Sequence, residues 1–328
     1  MTTGLARDNR TLRGGLDLGG TKIQAVIISR ANRVVGEARI PTPLDGGPEE
    51  VAAALAEAIG DAAATAGVLP KALAGVGVGS PGSIDAAAGT VSQAGNLPGW
   101  DDTFPLGDRL SKLLGCPVRL GNDVQVANRA EMRLGAGKGR GSFLGVAWGT
   151  GVGGSLILDG RLWLGRGAAG EIGHTVVLRD GALCTCGRRG CLEAYAGRNA
   201  MELAARKRAD RGEKTVLFRL MKQFGRSRLT SGVWARALDE RDAMAHDLID
   251  RAVAMLGTGI ASAINMLDVG TVIIGGGLGV RLGQPYADQI ALAMHPHLFL
   301  PERAPEVQVA ALGDLGGAIG AALLVNAR

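Results

Sequence analysis

The sequence predicts an α/β protein of two related lobes, and three observations carry that reading. Apolar strand-like runs alternate with helical ones along the chain, the pattern of sheets covered by helices. Two segments, DLGGTK at 17–22 and GTGVGG at 149–154, each follow one apolar strand and precede another, so an antiparallel hairpin opens each half. The 328 residues correspond to about two domains at ~150 residues each and can bury full-sized cores.

Taken in order, RGGLDLGG, KIQAVIIS and RVVGEARI read as strand, glycine turn, strand and a further strand. Glu49 to Ala66 is Ala-rich and predicts a helix, and ALAGVGVGS at 72–80 a short buried strand. A second helix is expected over Leu106 to Leu114, then the strand PVRLG, then a third helix opened by Asn122 as its cap. FLGVAWGTGVGGSLILDGRLWLG at 143–165 reads as a hairpin with more strand after it. The longest uncharged run, Gly141 to Leu158, holds six Gly and so reads as two strands and a turn rather than a membrane span. Helices are expected over 191–210 and about 236–267, TVIIGGG at 271–277 reads as strand then glycine loop, and Gly316 to Ala327 closes the chain as an apolar helix. No strict short-period repeat is visible.

Composition narrows the function. Only 11 residues are aromatic, which disfavours the stacking surfaces used to bind single-stranded nucleic acid. The formal net charge of +5 is concentrated in one place: residues 206–228 carry nine Lys or Arg against Asp210 and Glu213. Such a cluster could meet a polyanion, and its plainer reading is a solvated helical face. Met1 to Arg13 is polar, holds three Arg and has no apolar signal core, so the expected compartment is the cytoplasm. Glycine is the outlier, at 53 residues or about 16% against a usual ~7%.

Familiar glycine motifs fail here for stated reasons. In Gly15 to Lys22 the second glycine must run directly into Lys to make a Walker A loop, and Thr21 intervenes. Gly77 to Gly82 and Gly149 to Gly154 both match G-x-G-x-x-G, yet neither opens a helix, which a dinucleotide site requires. What remains is glycine turns at strand ends, with Gly275-Gly276-Gly277 as a third. Backbone N–H groups in such turns can converge on an anion, or the glycines can simply make tight turns. Thr21 and Thr150 would add hydroxyl donors, Lys22 a charge, and Asp17 a ligand for Mg²⁺.

His174, Cys184, Cys186 and Cys191 place one imidazole and three thiols within eighteen residues. That donor set suits a closed, tetrahedral structural zinc site in a reducing compartment, with Gly187 and Gly190 permitting the tight turn. Glu171 and Glu193 flank the cluster, so a bound metal would order a segment carrying two carboxylates able to accept from sugar hydroxyls. Cys116 stands apart and reads as a core residue, while His246, His295 and His297 read as surface or packing residues. Asp123, in Gly121-Asn122-Asp123, lies where a strand runs into a helix. It could take a proton from an attacking hydroxyl, or serve only as a helix cap. Asn96, in GNLPGW, is a turn residue that could also contact a sugar.

Read together, DLGGTK, GNDV at 121–124, GTGVGG, GEIGH at 170–174, CTCGRRGCLE at 184–193 and IIGGG at 273–277 closely resemble the ROK family of sugar kinases, repressors and open reading frames. The resemblance runs from Leu12 to the C-terminus, and CxCGxxGCLE preceded by GEIGH is its most specific part. It implies an actin-like (ribonuclease H-like) ATPase fold with two lobes and a central cleft. A small lobe is expected over 1–120, with the terminal helix 316–328 packing back on it, and a large lobe with the zinc motif over 121–315. By likeness to the family's glucokinases, Asp123 would be the general base for the sugar 6-hydroxyl. Gly82, Asn96, Asn122, Asp123, Glu171, His174 and Glu193 would hold the sugar. Asp17, Gly19, Gly20, Thr21, Lys22, Gly149, Thr150, Gly151 and Gly153 would hold the ATP phosphates with Mg²⁺, and Gly276 and Gly277 would line the nucleotide side. His174 would serve twice, near the sugar and on a structural Zn²⁺ with Cys184, Cys186 and Cys191.

The expected reaction is phosphorylation of a hexose, glucose first, with N-acetylglucosamine, N-acetylmannosamine, fructose and allose as alternatives and ATP preferred to polyphosphate as donor. The expected partners are small molecules and further copies of the chain, as homodimer or homotetramer, with no nucleic acid and no membrane. A sugar-sensing repressor of this family carries an N-terminal helix-turn-helix domain, and the 14 residues before Gly15 are too few for one. Many relatives have Pro after the Asp that precedes the last glycine strand; here Asp268 is followed by Val269.

Overall fold

The computed structural model describes residues 11–43, 45–94, 97, 99, 100 and 102–326. The chain divides into two compact units, Met1–Gly135 with Asp314–Arg328, and Ala136–Gly313.

In the first unit β1 (Arg13–Leu18), β2 (Lys22–Ile28) and β3 (Val34–Pro41) form an antiparallel meander. The chain then covers the sheet with α1 (Gly47–Thr65), whose buried Val51, Leu55, Ala58, Ile59 and Ala62 recur at helical spacing. Next comes β4 (Val76–Ser80), parallel to β1, then a small hairpin of β5 (Ser83–Asp85) and β6 (Thr90–Ser92). After α2 (Leu106–Leu114), β7 (Val118–Asn122) pairs in parallel with β4 and runs straight into α3 (Asp123–Leu134). The sheet order is β3-β2-β1-β4-β7.

The second unit opens with β8 (Phe143–Trp148), β9 (Val152–Leu158) and β10 (Arg161–Trp163), again an antiparallel meander. Where one helix was expected over 191–210, α4 (Glu193–Ala196) and α5 (Arg198–Asp210) are separated at Gly197, which has extended backbone. Inside the basic segment, whose plainer reading is a solvated helical face, a separate helix α6 (Leu217–Gln223) follows. The expected helix 236–267 is α7 (Ser231–Asp239) and α8 (Ala243–Leu267). Asp242 divides them: its carboxylate caps α8 by accepting from Ala245 N at 2.8 Å, and it also accepts from Val216 N at 2.7 Å, anchoring the start of α6. Then come β11 (Thr271–Gly275), α9 (Gly276–Leu282), α10 (Gln284–Met294) and β12 (Glu306–Val309). The order β10-β9-β8-β11-β12 repeats that of the first unit, with the last two strands parallel in both. The two hairpin motifs therefore open equivalent sheets.

The chain finally returns to the first unit as α11 (Gly316–Ala322), shorter than the expected 316–328. A Cβ on Gly77 of β4 would overlap the Ala321 carbonyl, and one on Gly320 would overlap that of Val126 in α3. Glycine on both surfaces lets α11 lie directly on the sheet and on α3, which is where part of the glycine excess goes. The same contact holds α3 in the first unit, so the division falls at Gly135/Ala136 rather than the expected 120/121. Each unit has its own core, with Leu16, Leu55 and Trp100 buried in the first and Trp148, Trp234 and Leu256 in the second.

The basic segment is partly neutralised within the second unit. Glu202, 4% exposed, accepts from Arg206, Arg228 and Leu229 N. Arg208 pairs with Glu213 and Asp247, and Arg219 with Glu240, while Lys207, Arg211, Lys214, Lys222 and Arg226 face solvent. Among the described residues no helix is long and apolar enough to cross a membrane.

Candidate active site

In the first unit the polar residues gather at the C-terminal ends of three paired strands. Asp17 of β1, Gly79 of β4 and Gly121 of β7 are in register, and Asp123 follows two residues beyond Gly121. The C-terminal ends of such strands are where α/β sheets hold ligands. Asn122 caps α3, its Oδ1 accepting from Val124 N at 3.1 Å and Gln125 N at 3.2 Å. The cap is thus the preceding residue, and Asp123 sits inside the first turn, accepting from Val124 N at 2.9 Å.

Burial, reinforced by the negative charge of Asp123, pushes the Asp17 carboxyl up to about 7, with Lys22 pulling the other way and Asp314 adding the smallest push. A Cβ on Gly317 of α11 would sit 2.5 Å from Asp17 Oδ2, so the helix closes over this carboxyl because glycine is there. Gly19, Gly20 and Thr21 form the turn that follows. Gly19 N donates to Lys22 O at 3.0 Å, and buried Thr42 clamps the turn by donating its hydroxyl to Gly19 O at 2.6 Å. Lys22 pairs with Asp314 at 3.2 Å. Gly82, at φ +90°, makes the turn between β4 and β5, and Asn96 lies outside the described residues.

The Asp17 carboxyl has a measurable thermodynamic signature. Its ordinary value is 3.8 and its folded value about 7, so between roughly pH 4 and 7 the native state holds a proton that the unfolded chain does not. Stability from this group therefore falls as pH rises through that window. Asp17→Asn is expected to stabilise the native state at pH 8 in EDTA by about 1–2 kcal/mol, discounted because the side chain is not wholly shielded from solvent, and so to raise the thermal midpoint there, and to lose that gain below pH 4. Equal midpoints at pH 8 would show that the carboxyl is not destabilising.

In the second unit the β8–β9 turn is closed by Gly149 N donating to Gly151 O at 3.0 Å. Gly153 is in β9. Arg198, at the start of α5, donates from Nη2 to Thr150 Oγ1 at 2.8 Å and from Nη1 to Ser231 Oγ at 3.0 Å. A Cβ on Gly149 would lie 3.6 Å from Gly277 N, and one on Gly277 would lie 3.6 Å from Ser231 Oγ, so these separated segments meet at one place. Gly276 and Gly277 are not the glycine loop at a strand end that the sequence suggested: Gly276, at φ +76°, opens α9 directly from β11. Arg198 and Ser231 were not singled out in the sequence, since no motif marks them; only the fold brings them to the turn.

Glu193 joins two motifs. Its Oε2 accepts from Val152 N at 3.0 Å beside the glycine turn, and its Oε1 accepts from Thr185 Oγ1 at 3.2 Å in the cysteine loop. A side chain on Gly151 would collide with Oε2. Glu171 is exposed at the start of the short 3₁₀ turn Ile172–His174.

The cysteine loop folds on itself through bridges Val176↔Cys191 and Leu183↔Arg189, with Gly187 at φ +83° inside the 184–188 turn. His174 Nδ1 lies 3.8 Å from Cys184 Sγ, Cys186 Sγ lies 3.7 Å from Cys191 Sγ, and all four donor atoms lie within 4.8 Å of one another. A tetrahedron with metal–sulfur bonds near 2.3 Å has edges of about 3.8 Å, so the donor set and its spacing fit Zn²⁺. Hydrogen bonding to Arg188 pulls the Cys186 thiol down to about 6, while burial pushes the Cys191 thiol 3.7 Å away up to about 12. Cys116 is buried elsewhere in the first unit, with its thiol pushed up to about 11 by that burial.

A profile of the ROK family matches residues 13–328. The glucokinase of Halalkalibacterium halodurans is 33% identical over 317 residues, 95% of this chain and 94% of that protein. The N-acetylmannosamine kinase of Yersinia pseudotuberculosis is 33% identical over 315 residues, covering 95% of this chain and 97% of that protein. Among solved structures, a ROK family glucokinase from Streptomyces griseus in complex with glucose and AMPPNP is 32% identical with a TM-score of 0.82, covering 96% of this chain and 99% of that one.

Proposed function

We propose that this chain, which belongs to the ROK family and has its actin-like ATPase fold, transfers the terminal phosphoryl group of ATP to the 6-hydroxyl of a hexose, glucose before others. The observation that carries the reading is the placement of Asp123. It is an acceptor carboxylate at the strand ends beside Asp17, and the capping of α3 is already done by Asn122.

In this reading the Asp123 carboxylate accepts the proton of the 6-hydroxyl as its oxygen attacks the terminal phosphorus of ATP, in line with the departing ADP oxygen. The turns at 19–21 and 149–151 present backbone N–H groups and the hydroxyls of Thr21 and Thr150 to the phosphates. Gly276 and Gly277 border the nucleotide. Asp17 would hold Mg²⁺, which supplies charge neutralisation on the phosphates. Asn122, Glu171, His174 and Glu193 orient the sugar, with the carboxylates accepting from its hydroxyls. Zn²⁺ held by His174, Cys184, Cys186 and Cys191 would be structural, tying Glu171 and Glu193 to one ordered segment. Thiols reserved for such a site suit a reducing compartment, the cytoplasm.

A second reading, an N-acylated hexosamine as acceptor, is favoured by the N-acetylmannosamine kinase relative at the same identity as the glucokinase. A coupled ADP-release assay with MgATP and a panel of glucose, N-acetylmannosamine, N-acetylglucosamine, fructose and allose separates them. Glucose is expected to lead in kcat/KM by about tenfold or more. Preference for an N-acetylated sugar would move the assignment to the second reading, and sugar-independent ADP release would end both.

A further inference from the structure

Arg198 ties the second glycine turn into its unit through main chain and side chain together. Its backbone N–H donates to Gly149 O at 3.1 Å, the next N–H, of Asn199, donates to Thr150 O at 3.0 Å, and the guanidinium reaches the hydroxyls of Thr150 and Ser231. The side chain is partly buried, and burial lowers its pKa, the mark of a cation short of compensation. No ion pair among the described residues includes it. Glu202, one turn further along α5, attracts Arg198 only through space, because its oxygens are hydrogen-bonded by Arg206, Arg228 and Leu229 N, and the repulsion from Arg228 is the larger effect. A desolvated guanidinium whose partners are two neutral hydroxyls calls for an anion.

The hydroxyls have the matching polarity. Each accepts from Arg198, so each is left with its own O–H to donate onward. Ser231 Oγ also faces Gly277, and Gly277 N faces Gly149, which places the donors around one spot. We propose that Arg198 is a positioning residue for the phosphate chain of the nucleotide donor. It aims the Thr150 and Ser231 hydroxyls and places a positive charge behind the glycine turn. This inference rests on the kinase reading above for its ligand, a nucleoside triphosphate.

The test uses the full chain with Arg198→Met and Arg198→Lys, and reads steady-state kinetics together with calorimetric binding of adenosine, AMP, ADP and AMPPNP. Arg198→Met is expected to raise KM for MgATP by about 10- to 100-fold, the scale of a lost charge-assisted hydrogen-bond set, while KM for the sugar stays within about twofold. Affinity is expected to fall for ADP and AMPPNP but not for adenosine, and Arg198→Lys is expected to recover part of it. Equal losses for adenosine and AMPPNP would reduce Arg198 to a scaffold residue, and an unchanged KM for MgATP would overturn the inference outright. If Arg198→Met fails to fold, Ser231→Ala takes its place, with a smaller rise of about 3- to 10-fold expected in KM for MgATP alone. Should the wild-type chain phosphorylate no hexose, the kinase reading fails by itself, and the nucleotide binding series still decides the role of Arg198.

Discussion

Asp123→Asn is expected to lower kcat by about 100- to 10,000-fold, the range supplied by a positioned general base, while sugar and nucleotide binding persist. The substitution keeps the shape of the side chain and removes its charge and its proton affinity. The helix it begins should survive, because Asn122 supplies the cap and the new amide oxygen can still accept from Val124 N as Asp123 does at 2.9 Å. Removing a negative charge near Asp17 also relieves part of the repulsion that raises that carboxyl. The variant is expected to keep its fold, read as an unchanged thermal midpoint, which makes a loss of turnover attributable to chemistry. Coupled ADP release gives kcat, and calorimetric titration with glucose gives binding. A near-normal kcat would remove Asp123 from the base role, and loss of glucose binding at unchanged kcat would make it a sugar contact only.

What the sequence shows of this molecule follows the range of the interactions. Elements set by local chemistry are legible: both strand–glycine–strand hairpins, the Ala-rich α1, and Asn122 opening α3 can be read from neighbouring residues. The cysteine cluster is legible because its donors lie close in sequence, and the fold gathers their atoms within 4.8 Å. The basic segment reads as a helical face, but the buried side of α6 is hidden because its apolar Leu217, Leu220 and Met221 are interleaved with the charges. Gly276 reads as loop because three consecutive glycines suit a turn, whereas α9 begins there, with the Trp148 backbone lying where a Cβ would sit. Arg198 and Ser231 are invisible because what singles them out is a meeting of residues 33 positions apart over a turn at Thr150. The glycine excess likewise has a tertiary cause at Gly77 and Gly320, where α11 lies on β4 and α3.

Removal of the zinc proposed for the cysteine loop is expected to damage sugar use more than nucleotide use. Elemental analysis of purified protein is expected to find about one zinc per chain, the stoichiometry of a four-ligand closed site. Cys191→Ser removes a fully buried ligand whose neighbours are structural: Val176 bridges to Cys191, and Leu192 enters the core of the second unit. Glu193 comes next, held by Thr185 of the same loop. Without the metal, the loop loses the tie between His174 and the three sulfurs, and with it the fixed spacing of Glu171 and Glu193. Loss of zinc is expected to lower kcat/KM for glucose by about 10- to 100-fold, the usual scale when support behind binding groups is lost. KM for MgATP should change less, since Arg198 independently pins Thr150 and Gly149. Cys116→Ser is the control: that thiol lies in the apolar core of the other unit, so zinc content should stay at the parental value. A fully active, zinc-free preparation would sink the metal site. A Cys191→Ser protein that lost zinc yet kept its glucose kinetics would leave the zinc assignment standing but separate it from sugar binding.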